Sequence, residues 1–156
     1  MNCCTAKTIL EKECRKVDEV TPKIRDLIED MIETMYDANG VGLAAPQVGV
    51  LKQIVVIDTS ADGEGLYVLI NPEILETSGS QTGEEGCLSV PGMSGVVTRP
   101  DYVKVKAYDE NMEEFILEGT ELLARAICHE TDHLHGKLYT ELVEGELHRV
   151  NYEEEE

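Results

Sequence analysis

Positively charged residues are scarce in this sequence, and their scarcity argues against one class of partner. There are 13 Lys and Arg against 32 Asp and Glu, which gives a formal net charge of −19 over 156 residues. A protein that binds nucleic acid through a general basic face needs Lys and Arg to contact the phosphates. We therefore expect no direct nucleic-acid binding, and we interpret the acidic excess as a well-solvated surface.

Long hydrophobic runs are also missing. No apolar segment approaches the ~20 residues of a membrane-spanning helix, and residues 1–5 do not begin a charged region followed by an apolar stretch, as a secretory signal would. We therefore expect a cytoplasmic protein without membrane association. The five cysteines are odd in number and unevenly spaced, so they do not indicate a disulfide framework. In a reducing compartment at least one of them is available as a metal ligand.

The chain shows no internal repeat and no linker, and its length suggests one domain. We expect a single domain over residues 1–150, followed by an acidic, frayed tail over residues 151–156.

Two helices are predicted, one near each end. Thr21-Pro22 is typical of a helix start, with an N-cap followed by proline at the first helical position. Apolar residues then recur at offsets 0, 3, 4, 7, 8 and 11 from Ile24, which predicts an amphipathic helix over 22–38. A second helix is predicted over 120–135, where Gly136 fits a C-terminal stop.

The segment between the helices is rich in strand patterns. The best alternating stretch is 102–108, and further strands are predicted at 53–59, 66–71, 73–76, 95–98 and 115–118. The glycine-rich segment 40–49 is predicted to be a loop or an irregular strand. Strands grouped between two helices favour an α+β fold, with antiparallel or mixed sheets packed around the second helix.

That second helix carries the motif His129-Glu130-Thr131-Asp132-His133. Histidines four residues apart lie on one helical face and can bind one metal ion, while Glu130 between them is a candidate general base. The motif predicts a metal-dependent hydrolase.

A catalytic zinc-like site usually has three protein ligands, so the motif leaves one to be found. Downstream candidates are His135 and the charged residues of 141–148, although His135 points to another helical face. Upstream, Cys87 lies in a segment bounded by glycine and proline, and its thiolate would suit a soft or borderline metal. Two alternatives stay open here: an endopeptidase with a different third ligand, and a non-catalytic module with a structural metal or none.

Three blocks of the sequence together resemble the peptide deformylase family. They are Gly40-Val41-Gly42-Leu43-Ala44-Ala45-Pro46-Gln47, Glu85-Gly86-Cys87-Leu88-Ser89, and His129-Glu130-Thr131-Asp132-His133-Leu134. They occur in the family's order and at similar separations, and the resemblance covers residues 7–140. The short chain is similar to the compact bacterial type.

The resemblance implies a role for individual residues. Cys87, His129 and His133 would bind the metal, with water as a fourth ligand. Glu130 would take a proton from that water and pass it to the leaving amine. Gln47 and the backbone N–H of Leu88 would donate hydrogen bonds to the oxyanion. Backbone groups at Val41, Gly42 and Gly86 would hold the substrate as an added strand.

The resemblance also implies the reaction and its requirements. The enzyme would remove the N-formyl group from the formylmethionine of newly made polypeptides and release formate. Deformylases typically use Fe²⁺, and Zn²⁺, Ni²⁺ or Co²⁺ can occupy the same kind of site. We expect a monomer. Many family members continue into a longer, sometimes basic helix that docks on the ribosome, whereas this chain ends in four glutamates, which argues against docking on ribosomal RNA.

Overall fold

The computed structural model describes residues 13–38, 40–60, 65–87, 90–135 and 144–149, with the backbone alone described for 84–87, 90–94 and 144–149. The elements in chain order are α1 (Pro22–Asp37), β1 (Gly42–Ala44), one turn of 3₁₀ helix (Ala45–Val48), β2 (Ile54–Ile57), β3 (Tyr67–Ser78), β4 (Gln81–Cys87), β5 (Val90–Arg99), β6 (Tyr102–Tyr108), β7 (Glu114–Thr120), α2 (Glu121–Leu134) and β8 (Glu144–Arg149).

The strands form two antiparallel sheets. The larger sheet has the order β1-β2-β3-β6-β7, and the smaller one has the order β4-β5-β8. Every described pair of neighbouring strands is antiparallel. The predicted α+β class is therefore confirmed. Among the described segments, no helix has the length and apolar character needed to span a membrane.

The two α-helices of the described segments cover opposite faces of the larger sheet. Val55 and Ile57 of β2 pack in one core with side chains of α2, whereas Ile54 and Val56 pack in a second core with α1. This division follows from the alternation of side chains along a strand. It explains why β2 is a continuous apolar run, since both of its faces are buried.

Helix α1 forms as its sequence predicts. The Thr21 hydroxyl accepts a hydrogen bond from the Ile24 N–H at 3.3 Å, and Pro22 occupies the first turn. Its buried residues are Ile24, Ile28, Met31 and Met35, a single stripe that faces the sheet.

Helix α2 is the central element. It packs against β1, β2, β6 and β7 of the larger sheet and also against β5 of the smaller one. Ten of its residues are buried, and they include both motif histidines and Glu130. Because both sheets pack against α2, they fix its position, and this suits the helix to hold a site between the sheets.

The strands differ from the predicted ones at identifiable places. The predicted strands 66–71 and 73–76 are one strand, β3, interrupted by a shift of register between Ile70 and Glu73. Asn71, at the shift, has a left-handed φ of 52° and binds both backbone polar groups of Val17 with its side-chain amide. Such bulges bend a strand without ending it.

Candidate metal site

Three buried side chains of α2 form the centre of the candidate site. The ligand atoms of His129, Glu130 and His133 all lie within 4.8 Å of one another. The two imidazole rings meet edge to face, with their centroids 5.0 Å apart. All three residues are buried, and His133 has no exposed surface. The expected juxtaposition of the two histidines and the glutamate is therefore present.

The site contacts the first predicted block through Gly42. Gly42 and Ala44 alternate with Leu43 along β1, and Leu43 packs on the α1 side. A methyl group at position 42 would lie 2.7 Å from Oε2 of Glu130 and 2.9 Å from its Cγ. The Glu130 side chain therefore occupies the space that any other residue at position 42 would need.

This close contact makes Gly42→Ala a sharp test of how Glu130 is positioned. We expect the alanine methyl to displace the Glu130 carboxylate, because Gly42 lies in a strand that is buried between the helices and cannot retreat. The variant should keep its bound metal and lose about 10²-fold in kcat, which is of the order that proton transfer contributes. Metal content and kcat are measured on the same preparation. A kcat equal to that of the parent would show that the carboxylate can move without consequence.

Gln47 is fixed by a hydrogen bond at the turn that follows β1. Its Oε1 accepts from the N–H of Ala44 at 2.9 Å, and the residue is buried. This bond fixes which side of the amide carries the oxygen, and it leaves the NH₂ group as the donor of the side chain. A rigid neutral donor of this kind is suited to bind an oxyanion.

The second predicted block lies at the end of β4. Gly86 and Cys87 are its last two residues, and the pairing with β5 shifts register between them. Leu88, predicted to donate its N–H, lies outside the described residues, as does Ser89. Because the Cys87 side chain is not described either, its role as a ligand stays a prediction.

Of the other candidates for a third ligand, only His135 has a side chain that the structure describes. His135 is 45% exposed, and its Nδ1 lies 3.9 Å from a carboxylate oxygen of Glu13. Glu144, Glu146 and His148 belong to β8, which pairs with β5, but their side chains are not described. Glu141 lies outside the described residues.

Two of the remaining cysteines are buried away from metal chemistry. Cys14 and Cys128 are both buried in the core that α2 shares with the sheet. Burial, and to a smaller extent Glu13, raises the pKa of Cys14 to about 11. A thiol with so high a pKa stays protonated at neutral pH and is a poor ligand. Cys3 and Cys4 lie outside the described residues.

Val41, which precedes β1, is 41% exposed, and its backbone is held by the backbone of the buried residue Asp58. Its carbonyl accepts from the N–H of Asp58 at 2.9 Å. The Asp58 carboxylate in turn accepts from the Tyr36 hydroxyl at 2.6 Å and from Ser60. Burial raises the pKa of this carboxyl, but the hydrogen bonds outweigh it and hold the pKa below its ordinary value. The backbone before β1 is thereby anchored while the Val41 side chain faces outward.

Sequence reasoning missed the ion pair that links α2 to the smaller sheet. Arg99, at the end of β5, is buried and pairs with Asp132 of α2 at 2.6 Å between Nη1 and Oδ2. A contact of Arg99 with Glu84 or Glu85, which their nearness in sequence suggests, stays a prediction because the side chains of these two residues are not described. The acidic residue beside the second histidine was the available signal, but spacing alone does not identify a partner on another strand.

The donor atoms of the site fit a divalent metal. Imidazole nitrogens suit zinc, iron, nickel and cobalt, and a carboxylate oxygen can serve as ligand or as base. Burial of all three side chains lowers the local dielectric and strengthens their interaction with a cation. The arrangement can therefore hold a metal and activate water beside it.

The sequence matches known proteins over nearly its whole length. The family model for polypeptide deformylase matches residues 3–147. The peptide deformylase of Lachnoclostridium phytofermentans is 64% identical over 150 residues, which cover 96% of this chain and 92% of that protein. The peptide deformylase of Agathobacter rectalis is 66% identical over 146 residues, which cover 94% and 90% respectively.

Solved structures agree with this result. A peptide deformylase from Legionella pneumophila superposes with a TM-score of 0.84 at 44% identity, covering 87% of this chain and 80% of that one. The Synechococcus elongatus peptide deformylase in complex with actinonin gives a TM-score of 0.86 at 41% identity, covering 93% and 78%.

A buried pair of histidines with a glutamate between them, on a helix enclosed by two sheets, defines a metal-dependent hydrolase. The family match narrows this class to one reaction. The chain belongs to the peptide deformylase family, whose members are metal-dependent enzymes that remove the N-formyl group from nascent peptides.

Proposed function

We propose that this protein deformylates peptides at a site in which Cys87, His129 and His133 bind the metal and Glu130 transfers the proton. The observation that carries the proposal is the cluster of three buried side chains whose ligand atoms lie within 4.8 Å. Cys87 is included because it ends β4 and because its block resembles the family. A divalent metal bound there lowers the pKa of a water molecule and supplies a nucleophile near neutral pH.

Glu130 performs the proton transfers. Its carboxylate accepts a proton from the water as the water oxygen bonds to the formyl carbon. It then donates that proton to the amide nitrogen as the carbon–nitrogen bond breaks, which yields formate and a free amino terminus. Its position against Gly42 limits the space in which the carboxylate can move. Such fixation supports transfer in both directions.

Gln47 and the backbone N–H of Leu88 donate to the formyl oxygen as it gains negative charge. The bond from Ala44 to Gln47 holds the amide before the substrate arrives, so no reorganisation is needed during the reaction. Each such donor is worth roughly 3 kcal/mol of barrier.

The substrate backbone binds beside β1 and the end of β4. Strand β1 is the terminal strand of the larger sheet, so its outer edge has no strand neighbour among the described residues. An extended peptide that pairs with Val41 and Gly42 on this side, and with Gly86 on the other, would present its formyl end to the metal.

Fe²⁺ is the proposed native metal, with Zn²⁺, Ni²⁺ and Co²⁺ as alternatives for the same donor set. We further propose a cytoplasmic monomer with one catalytic domain over residues 1–150 and an acidic tail over residues 151–156. It acts on N-formylmethionyl nascent chains without docking through a basic helix. The net charge of −19 supports this last point, because ribosomal RNA repels acidic surfaces.

Loading with defined metals tests the proposal. Protein purified without oxygen is stripped with a chelator, reloaded with Fe²⁺ or Zn²⁺, and supplied with an N-formylmethionyl peptide or its N-acetyl analogue. We expect no activity after stripping, release of formate from the formyl peptide after reloading, and faster turnover with Fe²⁺ that declines in air as the thiolate oxidises. Cleavage of internal peptide bonds, or no formate from a fully metallated protein, would contradict the proposal.

A further inference from the structure

A buried arginine lies on α2 one helical turn before the first histidine. Arg125 is 8% exposed. Its guanidinium keeps its charge at any pH at which proteins fold, so its burial requires hydrogen-bond acceptors. Nη2 lies 3.2 Å from the carbonyl oxygen of Val97, and longer contacts of 3.5 Å reach the carbonyl oxygens of Gly83 and Gln81. One side chain of the metal helix thus reaches the backbone of both β4 and β5.

The guanidinium packs on Gly83 of β4. A methyl group at position 83 would lie 3.4 Å from Nη2 of Arg125 and 3.8 Å from its Cζ. The guanidinium therefore lies directly against the strand backbone, and a branched side chain at position 83 would push it away.

Two contacts indicate that β4 and α2 advance in the same direction. The Gln81 side-chain amide donates to the carbonyl of Glu121, the first residue of α2, at 2.7 Å. Gly83, two residues after Gln81 on the strand, contacts Arg125, which lies four residues after Glu121 on the helix. From these contacts, the strand and the helix therefore run in the same direction.

Ideal rises per residue, counted from these contacts, put the end of β4 level with the motif histidines. From Gly83 to Cys87 a strand advances about 13 Å. From Arg125 to His129 and His133 a helix advances about 6 and 12 Å. Because the three helical residues are spaced by four, they also lie along one stripe of α2.

We propose that Arg125 is a positioning residue of the metal site, which fixes β4 against α2 so that the Cys87 thiolate reaches the metal held by the two histidines. The inference rests on the proposed function, which makes Cys87 a ligand. In this proposal Arg125 is neither a metal ligand nor a substrate contact. It acts through the strand, and it therefore controls the strength of the thiolate bond and the time for which the metal stays bound.

Cobalt-loaded protein tests this without any measurement of activity. A thiolate bound to Co²⁺ gives a charge-transfer absorption band, and transfer of Co²⁺ to an excess of chelator gives the rate of metal loss. Arg125→Met keeps the length of the side chain and removes its donors, whereas Arg125→Lys keeps the charge but cannot reach several carbonyls. Gly83→Val disturbs the same contact from the strand, and Leu122→Ala serves as the control on an exposed position of the same helix.

We expect the methionine variant to lose Co²⁺ about 10- to 100-fold faster than the parent, the range typical of losing a group that orients a ligand. The charge-transfer band of Arg125→Met per bound Co²⁺ should weaken. Arg125→Lys and Gly83→Val should have band intensities and rates of metal loss between those of Arg125→Met and the parent. The control Leu122→Ala should match the parent in both. If Arg125→Met does not fold, the measurements on Arg125→Lys and Gly83→Val test the inference. An unchanged band and rate in the folded variants would overturn the inference, whereas a parent without any thiolate band would instead overturn the ligand role of Cys87.

Discussion

Replacing Glu130 by glutamine is expected to reduce kcat for formate release by about 10²–10⁴-fold, the usual contribution of a positioned proton-transfer group. Glutamine has nearly the same shape, so it should fit the confined space beside Gly42. It cannot accept the proton of the attacking water. The histidines are untouched, and the variant should therefore bind as much metal as the parent.

Stopped-time formate assays and metal analysis on the same preparation check this expectation. Glu121→Gln makes the same chemical change on an exposed residue of the same helix and should leave kcat unchanged. A Glu130→Gln enzyme that retains most of its activity would remove Glu130 from proton transfer. If activity falls only in proportion to metal content, Glu130 is a ligand and not the base.

The second large effect is expected for Cys87→Ala. Removing one of three protein ligands should weaken metal binding by more than the ~10- to 100-fold typical of losing an outer partner, and activity should fall with the metal. The alternative of an endopeptidase with a downstream ligand predicts the reverse, because Cys87→Ala would keep its metal and Glu144→Ala would lose it.

Cys128→Ala is the matched control for this experiment. Cys128 is buried on the metal helix and adjoins His129, but it belongs to the core shared with the sheet. Its replacement removes a thiol close in sequence to the site without removing a proposed ligand. Equal metal loss in both cysteine variants would indicate general destabilisation, and it would count against a ligand role for Cys87.

Elements with a strong local pattern could be predicted from the sequence. Helix α1 was recognised from its apolar period and from Thr21-Pro22, and the helix carrying the motif was placed to within a residue at each end. Strand β6 was found from its alternation over Tyr102–Tyr108, which matches its observed alternation of buried and half-buried positions. In each case the signal lies within one contiguous segment.

Strands that depend on partners were missed or shortened. Strand β4 has the sequence Gln-Thr-Gly-Glu-Glu-Gly-Cys, which has neither alternation nor β-branched content beyond Thr82, and it exists because β5 pairs with it. Strand β8, which is rich in charged residues, was not predicted as a strand for the same reason. Propensity is a weak guide where pairing decides.

In the candidate site, too, local groupings could be predicted from the sequence and long-range contacts could not. The grouping of His129, Glu130 and His133 follows from helical periodicity alone, and the sequence therefore predicted it. The contact of Gly42 with Glu130, the pairing of Arg99 with Asp132 and the reach of Arg125 to β4 all join segments far apart in sequence. No period or spacing within a single chain reports such contacts.

Strand β1 has a consequence for aggregation. A sheet edge that faces solvent is a template for strands of other molecules, and proteins protect such edges by shortening or covering them. Strand β1 ends the larger sheet, but it is three residues long and all three are buried. So short and so deep an edge offers few hydrogen-bonding positions to the strands of another molecule. We therefore expect the edge that is proposed to bind the substrate peptide to resist edge-to-edge aggregation.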